Sequence, residues 1–204
     1  MTTAWGIVVA GGRGERFGGP KQFSLLGGEP LWEWGRRSLL DGGVDHVVLV
    51  GDIEGAAPGG KRRRDSVAAG LDRVPDGVDF VLIHDAARPL ATAALTRRVL
   101  ARLRDGDVDG VIPGNPVHDA TKRVAGDAVV ASVARDDLVI VQTPQGFRTD
   151  KLRAAHTGVE GDSADDAELV AELGGRIVVV PGEVTNIKVT VPSDLRLVEA
   201  IHAS

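Results

Sequence analysis

Short apolar runs alternate with amphipathic stretches along almost the whole chain, and this alternation constrains the fold more than any other feature. Trp5–Ala10, Val44–Asp52, Asp79–His84, Gly110–Pro113, Val139–Gln142, Ile177–Val180 and Ile187–Thr190 read as strands. Leu31–Leu40, Asp65–Val74, Thr92–Arg104, Thr149–Ala155 and Ala164–Leu173 read as helices, and a last helix runs from Pro192 to Ile201 with proline in its first turn. Strands that alternate with helices build βαβ units, so an α/β fold with a mainly parallel sheet is expected. The 204 residues suit one domain over 1–204 and leave little room for two. Ligands of such sheets bind beyond the carboxyl ends of the strands, so the chemistry should follow the strands directly.

One stretch breaks the pattern. In Val117–Ser132, two extended segments flank Gly126-Asp127, which spells a β-hairpin. A hairpin inserted into a parallel fold tends to project, giving an arm at about 115–136. Such an arm either embraces a second subunit or is a plain surface hairpin.

Composition removes several classes of function. Cysteine is absent, which excludes a disulfide framework, a thiolate nucleophile and a cysteine-based zinc site. Apolar runs such as Val47–Val50 are too short for a membrane span, and the N-terminus lacks a signal-peptide pattern, so a cytoplasmic protein is expected. The net charge of -5 argues against general binding to nucleic-acid duplexes. Glycine is abundant at 27 residues without a G-X-Y period, so glycines should mark turns and close approaches to a ligand.

The segment Ala10–Gln22 follows the first strand and reads Ala-Gly-Gly-Arg-Gly-Glu-Arg-Phe-Gly-Gly-Pro-Lys-Gln. Gly11, Gly12 and Gly14 offer bare backbone N–H groups, and Arg16 and Lys21 add cations, the makings of a polyphosphate cradle. It is not a Rossmann fingerprint, because Phe17 stands where G-x-G-x-x-G needs its third glycine. Gly55–Lys61 has the spacing of a P-loop, but Arg62 stands where Ser or Thr is required. The glycine pair Gly59-Gly60 with Ser66 can read the edge of a base, while most of the charges in Lys61–Arg64 read as a solvated helix entrance.

Three further motifs follow strands. In His84-Asp85-Ala86-Ala87-Arg88-Pro89, Asp85 suits a cation or substrate hydroxyls, and small alanines admit a ligand. Arg88 either joins the site or pairs with Asp85, and His84 reads as packed. Gln142–Phe147 reads as a fixed loop lining a site or a dimer contact. In Asn186–Thr190, period-two alternation sets Asn186, Lys188 and Thr190 opposite Ile187 and Val189, and Lys188 is either a further site cation or a surface lysine. Several cations with one acidic metal candidate point to phosphoryl or nucleotidyl transfer, which needs in-line geometry and charge neutralisation rather than a strong nucleophile.

Taken in this order, from Val9 to Ile201, the motifs resemble the 2-C-methyl-D-erythritol 4-phosphate cytidylyltransferase family of non-mevalonate isoprenoid synthesis. The resemblance implies a Rossmann-like nucleotidyltransferase fold whose projecting β-arm exchanges contacts in a homodimer. It implies transfer from CTP to the sugar-alcohol phosphate, with magnesium assisting and pyrophosphate leaving. By the same resemblance, Arg16 and Lys21 stabilise charge at the α-phosphorus, and Ala10, Gly11 and Gly12 line the nucleotide. Gly60 and Ser66 contact cytosine or ribose, and Asp85 sits by the metal or the substrate hydroxyls with Arg88 beside it. Lys188 holds the attacking phosphate, and Arg135 reaches it from a partner subunit.

The chain departs from the family pattern at two hydroxyls. Ala120 follows Asp119 where threonine is common, with Thr121 one step on, and Ala164 begins the later Ala-Asp-Asp-Ala, after Ser163. The related ribitol-5-phosphate cytidylyltransferases share the glycine loop, Pro-Lys-Gln-Phe and Asn-Ile-Lys-Val-Thr, whereas His-Asp-Ala-Ala-Arg-Pro favours the methylerythritol enzyme. A catalytically inactive nucleotide-binding protein is the other alternative, and intact Arg16, Lys21 and Lys188 speak against it.

Overall fold

A computed structural model describes residues 2–12, 14–161 and 163–204. Arg13 of the glycine-rich motif therefore lies outside the described residues. In chain order the elements are β1 (Ala4–Val9), β2 (Leu25–Leu26), β3 (Glu29–Pro30), α1 (Leu31–Asp41), β4 (His46–Val50), α2 (Arg63–Leu71), β5 (Phe80–Asp85) and α3 (Ala93–Arg104). They continue as β6 (Gly110–Pro116), β7 (Thr121–Ala125), β8 (Ala128–Val133), β9 (Val139–Val141), β10 (Gln145–Arg148), α4 (Thr149–Gly158), α5 (Asp166–Glu172), β11 (Ile177–Pro181) and α6 (Pro192–His202).

The central sheet has the order β11-β6-β10-β5-β1-β4, with β9 paired to the outer part of β6. Five of its seven strands point the same way, and β10 and β9 run against them. The mainly parallel α/β fold is thus as expected. Both faces are covered, which explains the near-continuous apolar strands. On one face Ile7, Val81, Ile83 and Phe147 pack with Val67, Leu71, Leu152 and Leu169. On the other, Val8, Leu82 and Val111 pack with Leu39, Val99, Leu100 and Leu103. Helix ends follow local chemistry. Thr92 Oγ1 accepts from Leu95 N–H at the start of α3, and Asp194 accepts from Thr190 and Val191 N–H at the start of α6.

Two expectations need correction. The segment Ile187–Thr190 is not a strand. It joins no ladder, docking through Val189 N–H on Ala87 O at 2.8 Å, and Asn186 is buried while Lys188 is exposed. Conversely, the supposed loop Gln142–Phe147 contributes β10, an antiparallel strand wedged between β5 and β6. Gly146 fits there because a Cβ would lie 2.7 Å from both Val99 Cγ1 and Leu103 Cδ1 of α3.

The hairpin forms as β7 and β8 around Gly126-Asp127, with Gly126 at φ 61 and a bulge between Arg123 and Val124. Its outer valines, Val124, Val129 and Val130, are exposed. Among the described residues, no helix is long and apolar enough to cross a membrane.

Candidate active site

A cavity of about 220 Å³ opens beyond the carboxyl ends of β1 and β5. Its lining includes Ala10, Gly11, Gly12, Lys21, Gly60, Ser66, Asp85 and Lys188, eight of the predicted site residues. This is where an open α/β sheet is expected to bind, because chains leaving adjacent strands part there toward opposite faces.

The glycine loop is shaped by close approach. Gly11 faces Gly59, and a Cβ on Gly11 would sit 3.3 Å from both Gly59 Cα and Ser66 Oγ. Gly14 has φ +65, and a Cβ there would fall 1.8 Å from Gly19 O, so no side chain fits. The Gly14 carbonyl accepts from the N–H groups of Phe17, Gly18 and Gly19, folding the loop back so that Lys21 reaches the cavity from a short 3₁₀ turn over Lys21–Phe23. Across the cavity, Ser66 is buried at the second turn of α2. Its hydroxyl accepts from Gly60 N–H at 3.0 Å and donates to Arg62 O, which fixes the turn Gly60–Arg62.

Asp85 is the electrostatic centre. It ends β5 with a side chain 10% exposed. Oδ1 accepts from Arg63 Nε at 3.1 Å and Oδ2 from Lys188 Nζ at 2.6 Å. Burial opposes its charge, but Arg63 and Lys188 outweigh that and hold the carboxyl well below the usual range. Burial lowers the Lys21 ammonium, and nearby Lys188 lowers it further, while Asp85 works the other way. Lys21 has no carboxylate at ion-pair distance among the described residues. A site with more cation than it neutralises is built for an anion.

Lys188 is aimed by the segment before it. Buried Gln142 donates to Glu183 O at 2.7 Å and accepts from Glu183 N–H at 3.0 Å. Buried Asn186 donates to Thr143 O at 2.9 Å. Arg88 takes part here and makes no pair with Asp85. Its guanidinium donates to Asn186 O at 2.8 Å and Val141 O at 3.1 Å, and it does not line the cavity. Arg16 is exposed in the turn before Gly18 and also lies outside the lining. Arg135 donates to His118 O at the base of the arm, away from the cavity.

The arginine run is only partly a solvated entrance: Lys61 and Arg62 are exposed, whereas Arg63 and Arg64 are half-buried. Arg62 donates to the Asp65 carboxylate and to Gly161 O, and Arg64 to the backbone carbonyls of His156, Val159 and Gly161. Arg63 spans Asp85 and the buried Asp166, with Nη1 2.6 Å from Asp166 Oδ2. Arg63 and Asp166 are the site residues that sequence reasoning missed. The acidic pair Asp165-Asp166 beside the absent threonine was the available signal.

The described residues build no all-protein metal cage here; magnesium would need Asp85 together with substrate phosphates. Asp85 is the only carboxylate lining the cavity among the described residues, and each of its oxygens faces a cation. No cluster of three potential ligands occurs among the described residues. Mg2+ is usually held by one or two carboxylates with substrate phosphates supplying the rest.

The family model for 2-C-methyl-D-erythritol 4-phosphate cytidylyltransferase matches residues 5–204. The chain belongs to this family. It is 45% identical over 218 residues to the 2-C-methyl-D-erythritol 4-phosphate cytidylyltransferase of Frankia casuarinae, covering 97% of this chain and 80% of that protein. It is 43% identical over 208 residues to a bifunctional enzyme IspD/IspF of Granulibacter bethesdensis, covering 95% of this chain but 54% of the relative, so it spans about half of that longer protein. Among solved structures, it is similar to the cytidylyltransferase of Thermus thermophilus, with a TM-score of 0.80, 34% identity, and coverage of 97% of this chain and 98% of that one. The nucleotidyltransferase fold read from the motifs is the family's fold.

Proposed function

We propose that this chain transfers the cytidylyl group of CTP to 2-C-methyl-D-erythritol 4-phosphate, releasing pyrophosphate, as its family does in isoprenoid precursor synthesis. The observation that carries the reading is one cavity in which Arg63 and Lys188 both bond Asp85, its single carboxylate among the described residues, while Lys21 stands unpaired beside the Gly11-Gly12 backbone. Ribitol phosphate as acceptor is the second reading, since that family shares the glycine loop and the Lys188 segment.

The reaction joins an acceptor phosphate oxygen to the α-phosphorus and breaks the bond to pyrophosphate. The attacking oxygen is already anionic, so no strong base is required. What the site must supply is charge neutralisation in line with that displacement. Gly11 and Gly12 offer backbone N–H groups to the triphosphate, with Ala10 beside them. Lys21, unpaired with any carboxylate, neutralises the charge that develops on the α-phosphoryl oxygens, with Arg16 closing over it from the same loop. Gly60 and Ser66 form the base-side wall. Lys188, aimed by Asp85, takes the acceptor phosphate, and Arg88 supports it by fixing Asn186.

Asp85, the one carboxylate lining the cavity among the described residues, would hold magnesium together with the triphosphate, and the ion would supply charge neutralisation there. The arm is proposed to pair with a second copy of the chain, covering Val124, Val129 and Val130 and carrying Arg135 to the partner's acceptor site; the exposed valines support this. A cytoplasmic location suits such an enzyme.

The test supplies CTP, magnesium and each acceptor in parallel and follows pyrophosphate. Methylerythritol phosphate should give the faster release. Faster release with ribitol phosphate would replace the acceptor, and CTP binding without turnover on either would leave a nucleotide-binding protein.

A further inference from the structure

Behind the cavity a line of hydrogen-bonded polar side chains runs inward from Lys188. Lys188 Nζ lies 2.6 Å from Asp85 Oδ2, Asp85 Oδ1 3.1 Å from Arg63 Nε, Arg63 Nη1 2.6 Å from Asp166 Oδ2, and Asp166 Oδ1 2.9 Å from His156 Nε2. The last two members are sealed, with side chains 1% and 5% exposed for Asp166 and His156. Neither lines the cavity, so Asp166 touches no substrate and acts only through Arg63.

The geometry of the guanidinium gives this arrangement a purpose. An arginine facing one carboxylate prefers the bidentate fork, two parallel N–H groups on both oxygens. Here the fork is divided, with Nε on Asp85 and Nη1 on Asp166. Asp85 therefore gives Arg63 one oxygen and keeps Oδ2 for Lys188. If Asp166 lost its charge, Arg63 would turn its fork onto both oxygens of Asp85 and compete with the Lys188 ammonium for Oδ2.

We infer that Asp166 is a positioning residue for the acceptor phosphate: by dividing the Arg63 fork it reserves one oxygen of Asp85 to aim Lys188. This rests on the proposed transfer, in which Lys188 holds the attacking phosphate. His156 keeps Asp166 in place from the far side, as the last residues of α4 meet the first of α5.

The experiment measures KM for CTP and for the acceptor separately in wild type, Asp166→Asn, Asp166→Glu and Asp85→Asn/Asp166→Asn. In Asp166→Asn the acceptor KM should rise about tenfold, the worth of one charge-assisted hydrogen bond, while the KM for CTP stays within about twofold. Asp166→Glu should recover most of the loss. In the Asp85→Asn background, Asp166→Asn should add nothing further, since the two act on one lysine. If Asp166→Asn fails to fold, His156→Ala decides: it removes the far-side partner of Asp166 without touching the cavity, and a smaller rise in the acceptor KM alone is expected. A change that strikes both KM values and kcat alike, or a glutamate no better than asparagine, overturns the inference. A wild type that performs no transfer removes the proposed function itself, whereas an active wild type without the KM split removes only the role of Asp166.

Discussion

His84 should make this protein lose stability as the pH falls from 6.5 toward 4, well above the range of its carboxylates. The side chain is fully buried on β5, with Gly35 of α1 pressed so close that a Cβ there would lie 2.7 Å from the ring. Both ring nitrogens have partners. Nδ1 is 3.0 Å from Thr143 Oγ1, and Nε2 is 3.2 Å from Arg88 O. Thr143 Oγ1 already accepts from Asp85 N–H, so its own proton points to Nδ1, and the carbonyl needs the ring proton on Nε2. The pocket is thus built for neutral imidazole. Burial pushes the folded value from 6.5 down to about 4, with Asp85 opposing and Arg88 and Arg63 assisting.

The unfolded chain takes up this proton below 6.5, the folded one only below about 4. Stability is therefore complete above 6.5 and falls through that window as protons bind the unfolded state. The full difference is about 3 kcal/mol, of which about 2 kcal/mol is lost by pH 5. Urea unfolding of wild type and His84→Gln at pH 7 and pH 5 isolates the group, since other titrations largely cancel in the comparison. Wild type should lose about 2 kcal/mol more than the variant. Equal losses in the two proteins would show that His84 is protonated in the folded state or exposed to solvent, and the reasoning would fail.

Other outcomes follow from the same geometry. Lys21→Ala should cut pyrophosphate release at least about 100-fold while CTP still binds, because its charge acts mainly in the transition state; kcat from pyrophosphate release, with calorimetry for CTP, checks it. Gly14→Ala should destabilise the protein by more than about 1 kcal/mol in chemical denaturation, since the residue combines positive φ with a clash on Gly19 O. Lys61→Ala should change nucleotide affinity alone and leave no ATPase to abolish, as Arg62 occupies the P-loop hydroxyl position. Light scattering should give a dimer near twice 21.3 kDa. A fully active monomer would detach Arg135 and the arm from catalysis.

Much of this was legible in the chain, for a physical reason. Elements with their own periodicity, such as α1, α3 and β5, reveal themselves locally, and the glycine loop does so through residue types that only a close approach explains. The misread elements are those whose conformation is decided elsewhere. Ile187–Thr190 alternates like a strand but pairs with none, and Val189 N–H docks on Ala87 O, just past β5. Gln145–Arg148 carries glutamine and glycine, poor strand residues, yet fills the slot between β5 and β6 because α3 comes so near. The site was legible where a side chain follows its strand, as Asp85 does. It was not legible where a partner is distant: Asp166 lies 103 residues from Arg63, and nothing local distinguishes a spanning arginine from its solvated neighbours.

The most direct test of the central claim is the identity of the product. Wild-type protein given CTP, magnesium and 2-C-methyl-D-erythritol 4-phosphate should yield, by mass spectrometry, one cytidine diphosphate ester of the acceptor for each pyrophosphate released. Release of pyrophosphate as free CMP forms, or an acceptor recovered unchanged while CTP is bound, would contradict it.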